Sequence, residues 1–193
     1  MMLKSSERLR SWKYEKDIDS IIAVRIYGNA VFASDYMAEM IQAATQGNYE
    51  WGEAAEQARN EKIDSEGLDY GKISFDELYR LARQVYIEAG CSWISDEHQR
   101  MVATVVMNRV ESDLFPDTVY GVLTQRGQYA YRNLNPDERA VRNALVVLEG
   151  HRALPSGVVY QSNFPQGSGV YLSIYDRHLG TTTYFCWRVE ENG

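Results

Sequence analysis

Hydrophobic and polar positions along this chain change period once, near Pro155. Before it, apolar residues recur at helical spacing; after it, they gather in short runs rich in β-branched and aromatic residues. The pattern predicts a helix capped by Ser34, running through Tyr36, Met37, Met40 and Ile41 and ended by Gly47-Asn48. A more polar helix from Trp51 to Ile63 and a linker over 64–71 follow. Ser74-Phe-Asp-Glu77 has the form of a capping box before a helix that continues to Ala89, where Gly90 supplies a left-handed exit. Ser95 caps the next helix, whose Met101, Val102, Val105, Val106 and Val110 make it apolar around most of its girth and so central. Pro116-Asp117 opens a short turn to Leu123, and Asn135-Pro136 starts a last helix ending at Gly150. Residues 157–163, 170–175 and 181–187 read as strands. Helices followed by a small antiparallel sheet make the fold α+β. It divides into a helical leader over 1–72 and a second domain over 73–193.

One position breaks the pattern in a chemically useful way. Leu78, Leu81, Val85 and Glu88 form a single helical stripe. Three are apolar and face the core; the fourth is a carboxylic acid at the last turn. Partial burial and the negative end of the helix dipole both disfavour its charged form. A carboxyl protonated near neutral pH is what a general acid for glycosidic cleavage requires. The competing reading is a glutamate that frays into water. No second acid is equally placed. Glu97 and Glu111 sit at helix ends, Asp113, Asp117 and Asp137 look like turn or cap residues, and Asp176 lies near His178 in a loop. One carboxyl acting first as acid and then as base toward an internal sugar hydroxyl is therefore the simpler scheme.

Composition narrows the partners. The 193 residues carry a net charge of −7 and no dense Lys/Arg run, which excludes a polyanion-binding face and with it nucleic acid. The most apolar stretch, 21–33, contains Arg25, Gly28 and Asn29 and cannot cross a bilayer as a helix. Fourteen tyrosines, flat apolar rings with polar tips, suit a sugar or peptide groove as well as a core rim. Cys91 and Cys186 form no CxxC pair; they either bridge, pinning the loop after Glu88, or stay thiols. No HExxH and no calcium loop is present, so neither metal nor cofactor is implied.

Leu81-Ala-Arg-Gln-Val-Tyr-Ile-Glu88-Ala89 resembles the opening block of the SleB/CwlJ-type cell-wall hydrolases. Val102 to Val110, Phe115 to Val122, Gly127-Gln128-Tyr129, Ala140 to Gly150, Val159 to Asn163 and Tyr184-Phe185-Cys186 resemble its later blocks, in order, over about residues 75–187. The resemblance implies a lysozyme-like catalytic domain that cleaves peptidoglycan glycan strands between N-acetylmuramic acid and N-acetylglucosamine. It implies Glu88 as the acid, lytic transglycosylation as the reaction, and Gln128, Tyr129, Tyr160 and Asn163 as substrate-positioning residues. The chain departs from the family after Glu88, where Ala-Gly-Cys-Ser-Trp93 replaces an Arg- and Glu-containing loop and offers Trp93 as a stacking platform. Hydrolysis aided by Asp176 or another acid, and a catalytically inactive wall-binding protein, are the rival readings. The expected location is the cell wall or another extracytoplasmic site. The opening Met-Met-Leu-Lys-Ser-Ser-Glu is not a signal peptide, which leaves a targeting segment outside this chain as one reading. The leader, with Tyr36, Met37, Met40 and Trp51, reads either as a docking element for a protein partner or as a packing extension.

Overall fold

The computed structural model describes residues 31–67, 71–130 and 132–189. Its helices are α1 (Val31–Gln46), α2 (Tyr49–Glu66), α3 (Phe75–Ala89), α4 (Asp96–Val110), α5 (Val119–Leu123) and α6 (Glu138–Leu148). The strands β1 (Val158–Ser162), β2 (Val170–Asp176) and β3 (Thr181–Trp187) follow, so the α+β order expected from the pattern is the one observed. The opening apolar stretch over 21–33 lies largely outside the described residues.

Helix α3, α4 and α6 pack on one another, and their apolar faces make the core. Phe75, Leu78, Leu81 and Val85 of α3 are fully buried with Val102 and Val106 of α4 and Val141, Ala144 and Val147 of α6. Each large side chain so buried contributes about 1.5–3 kcal/mol relative to exposure. Met40, Ala43 and Ala44 of α1 and Ala55 of α2 belong to the same cluster, and Met37 and Trp51 pack against it. The leader helices are thus built into the core beneath the acid-bearing helix. The Met37, Met40 and Trp51 side chains considered for docking are engaged there.

The sheet has the order β1-β3-β2, all antiparallel, with Gln161 opposite Phe185 and Ile174 opposite Thr183. It lies on α4 through β1. A second small cluster of Met101, Val105, Leu154, Val158 and Phe185 joins helix to sheet.

Several local expectations change. Helix α1 already contains Ser34, so that residue does not start it. Helix α2 is longer at both ends than expected, capped by Asn48, which accepts from the Trp51 amide at 3.1 Å. Ser74 makes no side-chain cap bond. The Phe75 amide is met instead by Glu56 Oε2 of α2 at 2.7 Å, a tertiary cap that local sequence does not show. Gly90 is not left-handed: its φ of −77° lies in the ordinary helical region. It is glycine because a Cβ there would lie 2.4 Å from the Tyr86 carbonyl oxygen. Helix α6 is capped by Asp137, which accepts from the Ala140 amide at 2.7 Å. Asn135 instead accepts from the Tyr79 hydroxyl at 3.0 Å. Ser95 caps α4 as expected.

Candidate active site

Glu88 sits where the stripe places it, in the last turn of α3, after Leu78, Leu81 and Val85, which are fully buried. The residue as a whole is open to solvent, yet its carboxyl is surrounded by protein at longer range, as on a concave wall. That surrounding burial raises its pKa above the usual carboxylate value. Two effects oppose the rise. Gln84, one turn earlier and buried, donates Nε2–H to Glu88 Oε1 at 2.8 Å, and the Arg132 charge acts on the same carboxyl. Glu77 is also raised by burial, then by Asp76 and Glu56, but it stands at the opposite end of α3.

The end of α3 is held from two sides. Gln99 of α4, with no exposed surface, donates Nε2–H to the Ala89 carbonyl at 2.9 Å. Its Oε1 accepts from Asn143 Nδ2 of α6 at 2.8 Å. Asn143 also donates to Asp96, and Arg139 donates to both Asp96 and the Ile94 carbonyl. These bonds fix the carboxyl-bearing turn and the loop over 90–95 on the packed helices. Buried amides are satisfied in pairs because an unpaired one costs about 1–3 kcal/mol.

Three predicted site residues meet around one that the sequence reading did not single out. Arg109 is 4% exposed. Its Nε donates to the Val159 carbonyl of β1 at 2.6 Å, and Nη1 donates to Gln128 Oε1 at 3.1 Å. Its guanidinium carbon lies 5.1 Å from the Phe115 ring centre, 5.2 Å from Tyr129 and 5.9 Å from Tyr160. A cation among aromatic faces is attracted by their quadrupoles, by up to about 2 kcal/mol when desolvated. Phe115 and Tyr160 also meet edge to face at 6.4 Å. The Tyr129 hydroxyl is buried with no hydrogen-bond partner among the described residues, and burial pushes its pKa up to about 12. The Arg109 charge opposes that rise and Glu88 adds to it, so Tyr129 stands within electrostatic reach of both. The signal for Arg109 was present: Asn108-Arg109 interrupts an otherwise apolar buried run. Asn108 Nδ2 bonds the Pro155 and Val158 carbonyls at 2.7 and 2.9 Å, so the pair hooks β1 onto α4.

Trp93 is about half exposed, and its indole Nε1–H donates to Asp176 Oδ2 at 2.9 Å. The His178 ring backs it at 5.0 Å. Asp176 Oδ1 accepts from the His178 and Leu179 amides at 2.7 and 3.1 Å. The Trp93 bond, followed by these amides, lowers its pKa despite some desolvation. Asp176 thus closes the β2–β3 turn and latches the Trp93 loop to it. Asn163 is exposed just beyond β1, and no hydrogen bond among the described residues ties it to the Arg109 cluster. Cys91 and Cys186 are free thiols. Among the described residues no three of His, Cys, Asp and Glu gather as a metal site requires.

A family model described as Cell Wall Hydrolase matches residues 94–166. Over that stretch the chain is similar to the cell wall hydrolases. The matched stretch contains Arg109, Gln128, Tyr129 and Tyr160 and begins after Glu88. Two solved structures are similar. The catalytic domain of the Bacillus cereus SleB protein is 23% identical, with 60% of this chain and 91% of that chain covered and a TM-score of 0.45. The catalytic domain of the germination-specific lytic transglycosylase SleB from Bacillus anthracis is 22% identical, with 58% and 96% covered and a TM-score of 0.44. Among curated proteins none matches the chain.

Proposed function

We propose that this protein is a cell wall hydrolase that cleaves peptidoglycan glycan strands between N-acetylmuramic acid and N-acetylglucosamine, and that it does so as a lytic transglycosylase. The observation that carries the reading is a carboxyl with a raised pKa, Glu88, in electrostatic reach of the aromatic wall through Tyr129. In its neutral form Glu88 gives its proton to the bridging glycosidic oxygen as the bond to the anomeric carbon breaks. The resulting carboxylate then takes the proton of an internal hydroxyl of the same sugar, whose oxygen bonds to the anomeric carbon. Glu88 regains its proton, no water is consumed, and the new end is an anhydro-sugar.

The scheme needs one carboxyl. The other acid considered, Asp176, is occupied by three donors, which supports a structural use rather than participation in hydrolysis. Gln128, Tyr129 and Tyr160 supply the binding wall. Trp93 supplies a fixed ring for stacking on a sugar face. On this reading residues 73–193 carry the chemistry, α1 and α2 support α3 from behind, and the protein works in the cell wall or another extracytoplasmic space. No helix among the described residues is long and apolar enough to cross a membrane.

Glu88→Gln keeps the shape and the Gln84 contact but has no acid proton. Release of soluble fragments from purified peptidoglycan should fall by at least ~100-fold, the low end of general-acid contributions. Fragment release at the wild-type rate would overturn the assignment.

A further inference from the structure

Arg109 offers only donors, because a guanidinium has no acceptor atom. It can therefore hold the Gln128 side chain only by its oxygen, as it does at 3.1 Å. The guanidinium is itself prevented from turning. The Val159 carbonyl takes its Nε–H, three aromatic rings border it, and it is 4% exposed. With Oε1 turned inward, the Gln128 NH2 is the part of the amide left to face out, and Gln128 is an exposed residue. No acceptor among the described residues meets that NH2. An amide on a protein surface usually offers oxygen and nitrogen alike by flipping over; this one is fixed to present donors.

From this we infer that Arg109 is a positioning residue that makes the Gln128 amide a dedicated donor for the acetamido carbonyl of an N-acetylated amino sugar. The inference rests on the glycan-cleaving reading and deepens it. A carbonyl oxygen is the acceptor that such a donor selects, and the neighbouring Tyr129, Tyr160 and Phe115 rings suit the acetyl methyl and the sugar faces. A de-N-acetylated sugar carries an ammonium in that place. It has no acceptor for the NH2, and its charge faces the Arg109 cation. A donor that the bound sugar covers and leaves unpaired is how a site rejects an analogue.

The test compares soluble glycan strands, N-acetylated and chemically de-N-acetylated, with wild type, Gln128→Glu and Arg109→Met. Gln128→Glu keeps an oxygen for Arg109 but has no donor, so it isolates the NH2 from the fold. Wild type should prefer the acetylated strand by about ten-fold in kcat/KM, the upper range for one neutral hydrogen bond. Gln128→Glu should bring that ratio to one or below, mainly through KM on the acetylated strand. Arg109→Met, which frees the amide to flip, should reduce the ratio in the same direction. A selectivity ratio is not moved by a merely structural role. If wild type cleaves both strands equally, or Gln128→Glu is as selective as wild type, the inference is overturned while the glycan-cleaving reading stands. If wild type releases nothing from either strand, the glycan-cleaving reading itself fails, and the inference with it.

Discussion

At the scale of single residues, the chemistry proposed for Glu88 rests on how it is surrounded rather than on its identity alone. Burial favours its neutral form, and Gln84 favours the charged one by donating to it. Removing that donor therefore raises the carboxyl's pKa further. Gln84→Met, close in volume and without the amide, should move the alkaline limb of the kcat/KM profile to higher pH, because the acid stays protonated longer. A limb that moves to lower pH would contradict the role given to Gln84. The same shift has a stability side. A carboxyl whose folded pKa is raised binds its proton more tightly when folded. Its favourable contribution is present below the unfolded pKa and is lost as pH rises through the folded value. Glu88→Gln should accordingly melt above wild type at pH 8, with the gap closing as pH falls through the raised folded value and gone below about 4.3, the ordinary glutamate value. Equal melting temperatures at pH 8 would mean that the carboxyl is not disfavoured in the fold. Arg109 is the residue-scale feature that sequence reading missed. Its burial was legible from the helix it sits on, but its partners, Gln128, Tyr129 and Tyr160, are distant in sequence and meet only in the fold.

At the scale of elements, the periodicity located most of what folds. The α3 stripe, the buried girth of α4 and all three strands follow from apolar spacing alone, with ends shifted by a few residues. The capping details were less legible wherever a tertiary partner replaced a local one. Glu56 reaches the start of α3 from α2, and Asn135 is taken by Tyr79 before it can cap α6. Gly90 reads as a left-handed exit because most helix-ending glycines are, whereas here the crowding of the Tyr86 carbonyl decides it. The clamp on the end of α3 was likewise invisible, since Gln99 in the polar run Asp96-Glu-His-Gln-Arg100 gives no hint of the Ala89 carbonyl it meets. Gln99→Leu takes the side-chain donor from that carbonyl and one acceptor from the Asn143 amide, which keeps its bond to Asp96. It should cost about 1–3 kcal/mol, a fall of roughly 2–12 °C in melting temperature for a chain of this size. Activity should drop with it, through kcat, as the Glu88 turn loosens. Wild-type melting and wild-type kcat in this variant would show that the clamp positions nothing.

At the scale of the whole molecule, the question is whether α1 and α2 stand apart from the helices that carry the proposed site or are part of their support. Gly52 of α2 gives a test in which the two answers have opposite signs. In an exposed helix Gly→Ala is stabilising by about 1 kcal/mol. Here a Cβ would lie 2.2 Å from the ring of Phe75, which is fully buried at the start of α3. Gly52→Ala should therefore lower the melting temperature, with overpacking costing about 1–3 kcal/mol; a rise would detach the leader helices from the core. The hydrophobic pattern did not reveal this packing, because α2 reads as mostly polar and its buried positions, Gly52, Ala55, Arg59 and Ile63, include a glycine and an arginine. The account as a whole turns on one acid working without a second. Mass analysis of the soluble fragments that wild type and Glu88→Gln release from purified peptidoglycan tests that most directly. The account predicts anhydro-ended muropeptides, lighter by one water than hydrolysed ones, from wild type and none from Glu88→Gln. Reducing-end fragments from wild type would contradict it and require a second group to activate water.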